Sequence, residues 1–290
     1  MVSKPTMIAF EHAEKRTVQL DVGPIHYRDV GSGEPIVFVH GLLVNGLLWR
    51  KVVPPLASSF RCIVPDLPLG SHATPMSAGA DLTPPGLAKI VDGFLAALNL
   101  DRVTLVANDT GGAVSQIVAT RHPQRIGRLV LTPCDMFDNF LPPLFQPLQW
   151  LAHVPGSILV LAQAMRLGAL QRSPLAFGWL AKHGIEPAIA AEYLKGVQTS
   201  AGVRRDTAKV LKGISTRYTL EAAEALRHFD KPALLAWARE DRLFPIDFAK
   251  RMVEILPQGR LELIDDSYTF VPEDQPERLV QVIEQFVTTT

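Results

Sequence analysis

Val103-Thr104-Leu105-Val106-Ala107-Asn108-Asp109-Thr110-Gly111-Gly112-Ala113-Val114-Ser115 is the stretch on which the reading of this chain turns. It opens with a β-branched apolar run of buried-strand type, passes one acidic residue, and continues after two glycines into residues that suit a helix. A strand that turns sharply into a helix holds one side chain clear of the backbone, beside the free N–H groups of the new helix. Such a position suits a nucleophile working next to developing negative charge, and the residue at the apex is Asp109. The plainer alternative is a helix N-cap, because Asp and Asn readily bond exposed N–H groups there.

Outward from this turn, the chain alternates short apolar runs with helical patterns. Thr17 to Asp21 and Ile25 to Asp29 read as a hairpin around Gly23-Pro24, and Ile36-Val37-Phe38-Val39 as a buried strand. Leu47 to Leu56 suits a helix and Phe60 to Val64 a strand. Leu87, Val91, Phe94, Leu95 and Leu98 repeat at helical spacing, so their stripe is core and not a cofactor box. Strands follow at Leu129 to Thr132, Pro232 to Trp237 and Leu261 to Ile264, and a last helix carries Leu279, Ile283 and Phe286. Strand–helix alternation about every 30 residues predicts a mostly parallel sheet flanked by helices. From Met136 to Ile214 the alternation stops, and aromatic residues such as Phe140, Trp150 and Trp179 stand among many prolines with no strand pattern. The domain division expected is therefore a core of residues 1–135 and 215–290 with a helical insertion at 136–214.

The turn resembles the nucleophile elbow of the α/β-hydrolase superfamily, usually Gly-x-Ser-x-Gly, and more closely that of its haloalkane dehalogenase and epoxide hydrolase branches, where the nucleophile is Asp. Ala107 stands in place of the first glycine and Gly111 in place of the second. His40-Gly41 after a buried strand is similar to the superfamily's oxyanion loop, which implies Leu42 N–H as one donor and Thr110 N–H as its pair. His40 itself would shape the loop. Asp241, four positions before Pro245, matches the superfamily's acid, and Asp135 the position some dehalogenases use. Either could orient an imidazole, although Arg239 and Arg242 offer Asp241 a plain salt bridge instead. The fold implied is the α/β-hydrolase fold, and the insertion at 136–214 is where that superfamily carries a cap, whose role would be to exclude water and line an apolar pocket.

Three departures bear on the reaction. Thr269 stands where the pattern has its catalytic His, although Phe270 and Gln275-Pro276-Glu277, which follow it, match. Thr110 replaces the Trp that donates to halide, and Leu42 and Leu43 replace an Asn-Pro pair. A displacement by Asp109 would leave an ester on the enzyme; water must then attack it, and general-base help to that water is worth about 10²–10⁴ in rate. One reading is a hydrolase in which another group, such as His72, His153, His183 or Asp135, is the base. A second uses Asp109 as general acid or base in a lyase or isomerase whose substrate carbonyl is held by the Leu42 and Thr110 amides. A third is a ligand-binding protein that kept the fold and lost the chemistry. Asn108, His72 and Thr269 complete the set of expected site residues, with His72 expected on an exposed loop.

Composition sets the remaining expectations. With 290 residues, 47% of them hydrophobic, the chain can bury a large core. Lys plus Arg number 29 and Asp plus Glu 29, so net charge gives no reason to expect nucleic acid or an anionic membrane as partner. A neutral small molecule fits better as substrate. Cys62 and Cys134 sit in apolar runs and read as buried thiols, without a zinc site or any other cofactor. No secretory signal or run of about 18 apolar residues is present, which predicts a cytoplasmic protein.

Overall fold

The computed structural model describes Phe10 and residues 13–290. Its sheet has eight strands: β1 (Lys15–Leu20), β2 (Gly23–Val30), β3 (Pro35–Val39), β4 (Arg61–Asp66), β5 (Val103–Asp109), β6 (Ile126–Cys134), β7 (Ala233–Ala238) and β8 (Gly259–Ile264). They lie in the order β1-β2-β4-β3-β5-β6-β7-β8. The first two pairings, β1 with β2 and β2 with β4, are antiparallel, and all the others are parallel. The expected hairpin opens the sheet and the expected parallel region follows.

Helices complete the layers. In the core these are α1 (Val53–Leu56), α2 (Pro84–Ala97) and α3 (Thr110–Arg121), with α9 (Thr216–Ala225), α10 (Ile246–Ile255), α11 (Val271–Asp274) and α12 (Pro276–Thr289) after the insertion. Between β6 and β7 the insertion contributes α4 (Gln146–Leu151), α5 (Ser157–Ala164), α6 (Gly168–Gln171), α7 (Pro187–Thr199) and α8 (Ala201–Gly213). No described residue there joins the sheet; the one extended pairing is an isolated bridge between Met136 and Asn139. Helices α2, α3, α9 and α10 pack on one another in sequence, and α1 packs on α12. β5, at the centre, is buried along its whole length, as a strand covered on both faces must be.

The expected helix over Leu47–Leu56 does not form. A short 3-10 turn, Gly46–Trp49, is capped by the Asn45 side chain, whose Oδ1 accepts from Leu47 N at 3.0 Å, and only the four residues of α1 follow. Pro54 and Pro55 lack the N–H groups that would join the two turns into one helix.

A buried ion pair fastens this corner. Arg50 donates to both carboxylate oxygens of Glu273 on α11, and its Nη2 also reaches Glu186 at 3.0 Å, just before α7 of the insertion. Arg50 is 5% exposed and Glu273 4%, so the charges are stable only because they satisfy each other. Glu273→Ala is expected to destabilise the protein by about 3–5 kcal/mol, because it leaves a buried guanidinium without its main counter-charge; urea denaturation monitored by circular dichroism measures this.

Candidate active site

β5 ends at Asp109 and α3 begins at the next residue, so the strand-to-helix turn has no loop at all. Asp109 takes φ 53° and ψ −134°, a left-handed conformation that costs a non-glycine residue about 1–3 kcal/mol. Its side chain does not cap α3 beyond the N–H of Thr110, the first residue of that helix. It turns instead toward the loop after β3, where Leu42 N donates to Asp109 Oδ2 at 3.1 Å. The approach depends on Gly41, where a Cβ would lie 2.1 Å from that same oxygen. Gly111 and Gly112 serve the same closeness, since a Cβ would meet His40 O at 2.4 Å in the first case and Cys134 Cβ at 2.2 Å in the second.

The environment of Asp109 sets its charge. Burial pushes its carboxyl up to about 6, and the Thr110 and Leu42 backbone N–H groups pull it back down. Both expected donors thus face the carboxylate of Asp109 itself. They do not stand open toward a substrate carbonyl, as the lyase or isomerase reading required.

His40 is fully buried; its Nδ1 lies 2.9 Å from Gly41 O and its Nε2 accepts from Leu67 N at 2.8 Å. Burial lowers its pKa, so it is a neutral ring that joins two loops. Asp135 is also fully buried. Its Oδ2 accepts from Thr110 Oγ1 at 3.1 Å and its Oδ1 from Leu141 N at 2.9 Å. Burial, followed by the negative charge of Asp109, holds its pKa well above the usual carboxylate range.

Asp241 lies in the loop after β7. Its Oδ1 accepts from Leu243 N at 2.7 Å and Phe244 N at 2.6 Å. Among the described residues it forms no salt bridge: Arg239 pairs with Asp265, and Arg242 stacks over Tyr268 at 4.6 Å. Burial pushes Asp241 up to about 7, with the Asp109 charge adding to the shift and the Thr269 hydroxyl, close by, opposing it. Even so, Asp241 Oδ2 and Thr269 Oγ1 are both buried without a hydrogen bond of ordinary geometry.

Other expected site residues have different employment. Asn108 Nδ2 donates to Thr132 Oγ1 at 2.8 Å, Pro133 O at 3.1 Å and Thr269 O at 2.8 Å, so it ties the Thr269 turn to the elbow and does not present its amide to a pocket. His72 is not on an exposed loop. It is 2% exposed, with Nε2 3.3 Å from Asp206 on α8, because the insertion folds down over its loop. His183 meets Asp266, and His153 meets Gln149 O. Among the described residues no histidine nitrogen bonds Asp109. A cleft of about 640 Å³, lined by residues such as Lys51, Arg172, Lys182 and Glu273, does not include Asp109.

Above the elbow lies a separate apolar cluster. Ala113 of α3 packs there with Phe140, Leu141, Ala152, Leu211 and Ile214 of the insertion, and partly buried Leu42, Phe145, Leu148 and Ile158 join them. Cys62 and Cys134 are buried free thiols. Asp206 has no recognisable motif around it and Glu273, though inside the matched stretch from Phe270 to Glu277, has no role there that the sequence announces; only the fold brings their partners to them.

The stability consequence of Asp241 has a definite sign. A carboxyl whose folded pKa lies above its unfolded value opposes folding once ionised, so stability from this group falls as pH rises from about 4 to about 7. Asp241→Asn keeps an oxygen for the two backbone donors. It is expected to raise stability at pH 8 relative to the parent by an amount on the order of a few kcal/mol and to do little at pH 4, as read from melting curves at the two pH values.

The alpha/beta hydrolase fold family model matches residues 34–276. Haloalkane dehalogenase 2 of Mycobacterium tuberculosis is 29% identical over 283 residues, covering 94% of this chain and 95% of the relative. A cis-3-alkyl-4-alkyloxetan-2-one decarboxylase of Shewanella oneidensis is 28% identical over 281 residues, covering 92% and 86%. Among solved structures, the haloalkane dehalogenase DatA of Agrobacterium tumefaciens superposes with a TM-score of 0.79 at 23% identity, over 95% of this chain and 96% of that one.

Proposed function

The chain belongs to the alpha/beta hydrolase fold family and is an enzyme of that kind; we propose that it acts on a small, neutral, largely apolar molecule, with Asp109 as a covalent nucleophile. The observation that carries this reading is the bond from Leu42 N to Asp109 Oδ2. An oxygen gripped by backbone N–H groups is the one on which charge collects when water later attacks an Asp109 ester, and stabilising that charge is what such donors do. The other oxygen is left to attack carbon. Displacement of a halide or opening of an epoxide then joins the substrate carbon to Asp109 and leaves the electron pair on the departing group.

Release needs a base. With no histidine at Asp109 among the described residues, we assign that role to Asp241, whose unpartnered Oδ2 faces the Thr269 hydroxyl. Water held between these two groups would pass its proton to Asp241 as its oxygen attacks the ester, giving alcohol and restoring the Asp109 carboxylate. A carboxylate pushed up to about 7 is a better proton acceptor at neutral pH than an ordinary one. Asp135 has a structural part: it accepts from Thr110 and Leu141.

A second reading is favoured by the absence, among the described residues, of a histidine bonded to Asp109, together with the likeness to an oxetanone decarboxylase. Asp109 could open a four-membered lactone at its saturated carbon, freeing the ring carboxylate. Loss of carbon dioxide would then form the alkene and expel Asp109, with no water consumed. Turnover in heavy-oxygen water separates the two, because only hydrolysis places the label in Asp109 or in an alcohol product.

Intact-mass measurement after exposure to haloalkanes, epoxides and β-lactones tests the covalent step. The parent is expected to accumulate an adduct on Asp109, Asp109→Asn to form none, and Asp241→Asn to retain it. Thr269→His should speed release by about 10²–10⁴. No adduct and no product across the panel would defeat the proposal.

Adduct formation requires ionised Asp109, so its rate is expected to fall as pH drops through about 6. Release requires ionised Asp241 and should fall already below about 7. Quenched-flow sampling over pH 5–9 resolves both limbs.

A further inference from the structure

The insertion carries an apolar outer surface. Trp150, Val154, Val160, Leu167 and Leu175 are each more than half exposed, and Leu159 is exposed beside them. On α5 only Ala162 is buried. Exposed apolar groups in such a succession mark a surface that meets something else.

The segment's own charge is one-sided, although Glu186 after it lines the same cleft as Arg172. Between Asp138 and Glu186 the chain contains no Asp or Glu. Arg166 and Arg172 are exposed and, among the described residues, neither is paired with a carboxylate. The zero net charge of the whole chain conceals this local excess.

We propose that this face of the insertion docks on an anionic lipid surface. Short helices lying in the interfacial plane with apolar side chains inward, a Trp at headgroup depth and arginines near lipid phosphates are the features that bind such a surface. No described helix is long and apolar enough to cross a membrane, so the attachment is peripheral. A second copy of the chain fits less well. In a two-fold interface the same patch meets itself, and this segment offers Arg166 and Arg172 no carboxylate of its own to pair with. The inner side of the same segment supplies Phe140, Leu148 and Ile158 to the apolar cluster that includes Leu42 and Ala113 beside Asp109. An apolar substrate dissolved in lipid would therefore meet apolar side chains from the docked face to the elbow.

The proposal is independent of the chemistry at Asp109, and its test uses no substrate. The full chain is sedimented with phosphatidylcholine vesicles and with vesicles that also contain phosphatidylglycerol. It is expected to bind the mixed vesicles, and less so as salt is raised. Paired Trp150→Glu and Val160→Glu substitutions should abolish binding. Paired Arg166→Glu and Arg172→Glu should lower the partition coefficient about tenfold or more, with melting temperature unchanged in both variants. Failure of the parent to sediment with mixed vesicles overturns the proposal, as does binding unaltered by both variant pairs. A concentration-dependent dimer in analytical ultracentrifugation that Trp150→Glu dissolves, with no vesicle binding, also overturns it and gives the face to a second copy.

Discussion

A buried carboxylate held by a neighbouring loop's backbone is the constraint that the rest of this site obeys. Taking Asp109 out of water disfavours its charge, and the Leu42 and Thr110 amides oppose that cost. Thr110 is the next residue along the chain, but the Leu42 amide reaches Asp109 only because the loop after β3 lies against the β5–α3 turn. That contact requires no side chain at Gly41, no side chain at Gly111 against His40, and a left-handed backbone at Asp109. The strain is sustained because β5 is paired on both edges, with β3 on one side and β6 on the other. A rigid central strand therefore sets the position of a reactive group at its end.

Two further carboxyls, Asp135 and Asp241, are buried near enough to Asp109 to feel its charge, and their surroundings set them apart. Asp135 has each oxygen taken by a donor, while burial and the Asp109 charge push its pKa up. Asp241 has one oxygen taken by two amides and the other left without a partner opposite Thr269. Like charges packed this closely in a dry interior oppose folding, which is tolerable where their separation into different protonation states is useful. With threonine at position 269, the space between acid and nucleophile is polar without holding an imidazole, and this distinguishes the site from one built around a His base.

Polar ties fasten the insertion to the core alongside the apolar packing of residues such as Tyr193, Val203 and Val210. Arg50 spans Glu273 and Glu186, and His72 meets Asp206 of α8. Asp274 accepts from Lys182 N and His183 N, each at 2.9 Å, and from Tyr268 N at 3.0 Å. The Asp274 contacts anchor the insertion beside the turn that carries Thr269. A shift of the insertion would therefore be felt at the Asp241–Thr269 pair as well as at the apolar cluster over α3.

Much of the fold was legible in local pattern. Buried strands declare themselves by short β-branched runs, amphipathic helices by spacing, and the elbow by an acid between an apolar run and two glycines. The order and kind of these elements depend on neighbours along the chain, so they could be read before any coordinates. The helix expected over Leu47–Leu56 failed because two adjacent prolines outweigh an apolar pattern. The employment of the polar residues was another matter. Asn108 serves as a strand tie, His72 is buried under α8, and the Leu42 amide faces Asp109 itself; each outcome depends on a partner distant in sequence. Sequence alone determined that one carboxylate would stand at a strand-to-helix bend and that no histidine would occupy position 269. Only the tertiary structure decided which donors grip that carboxylate and which buried oxygens are left unpaired, because hydrogen bonding and desolvation are set by groups that the chain brings together only when it closes.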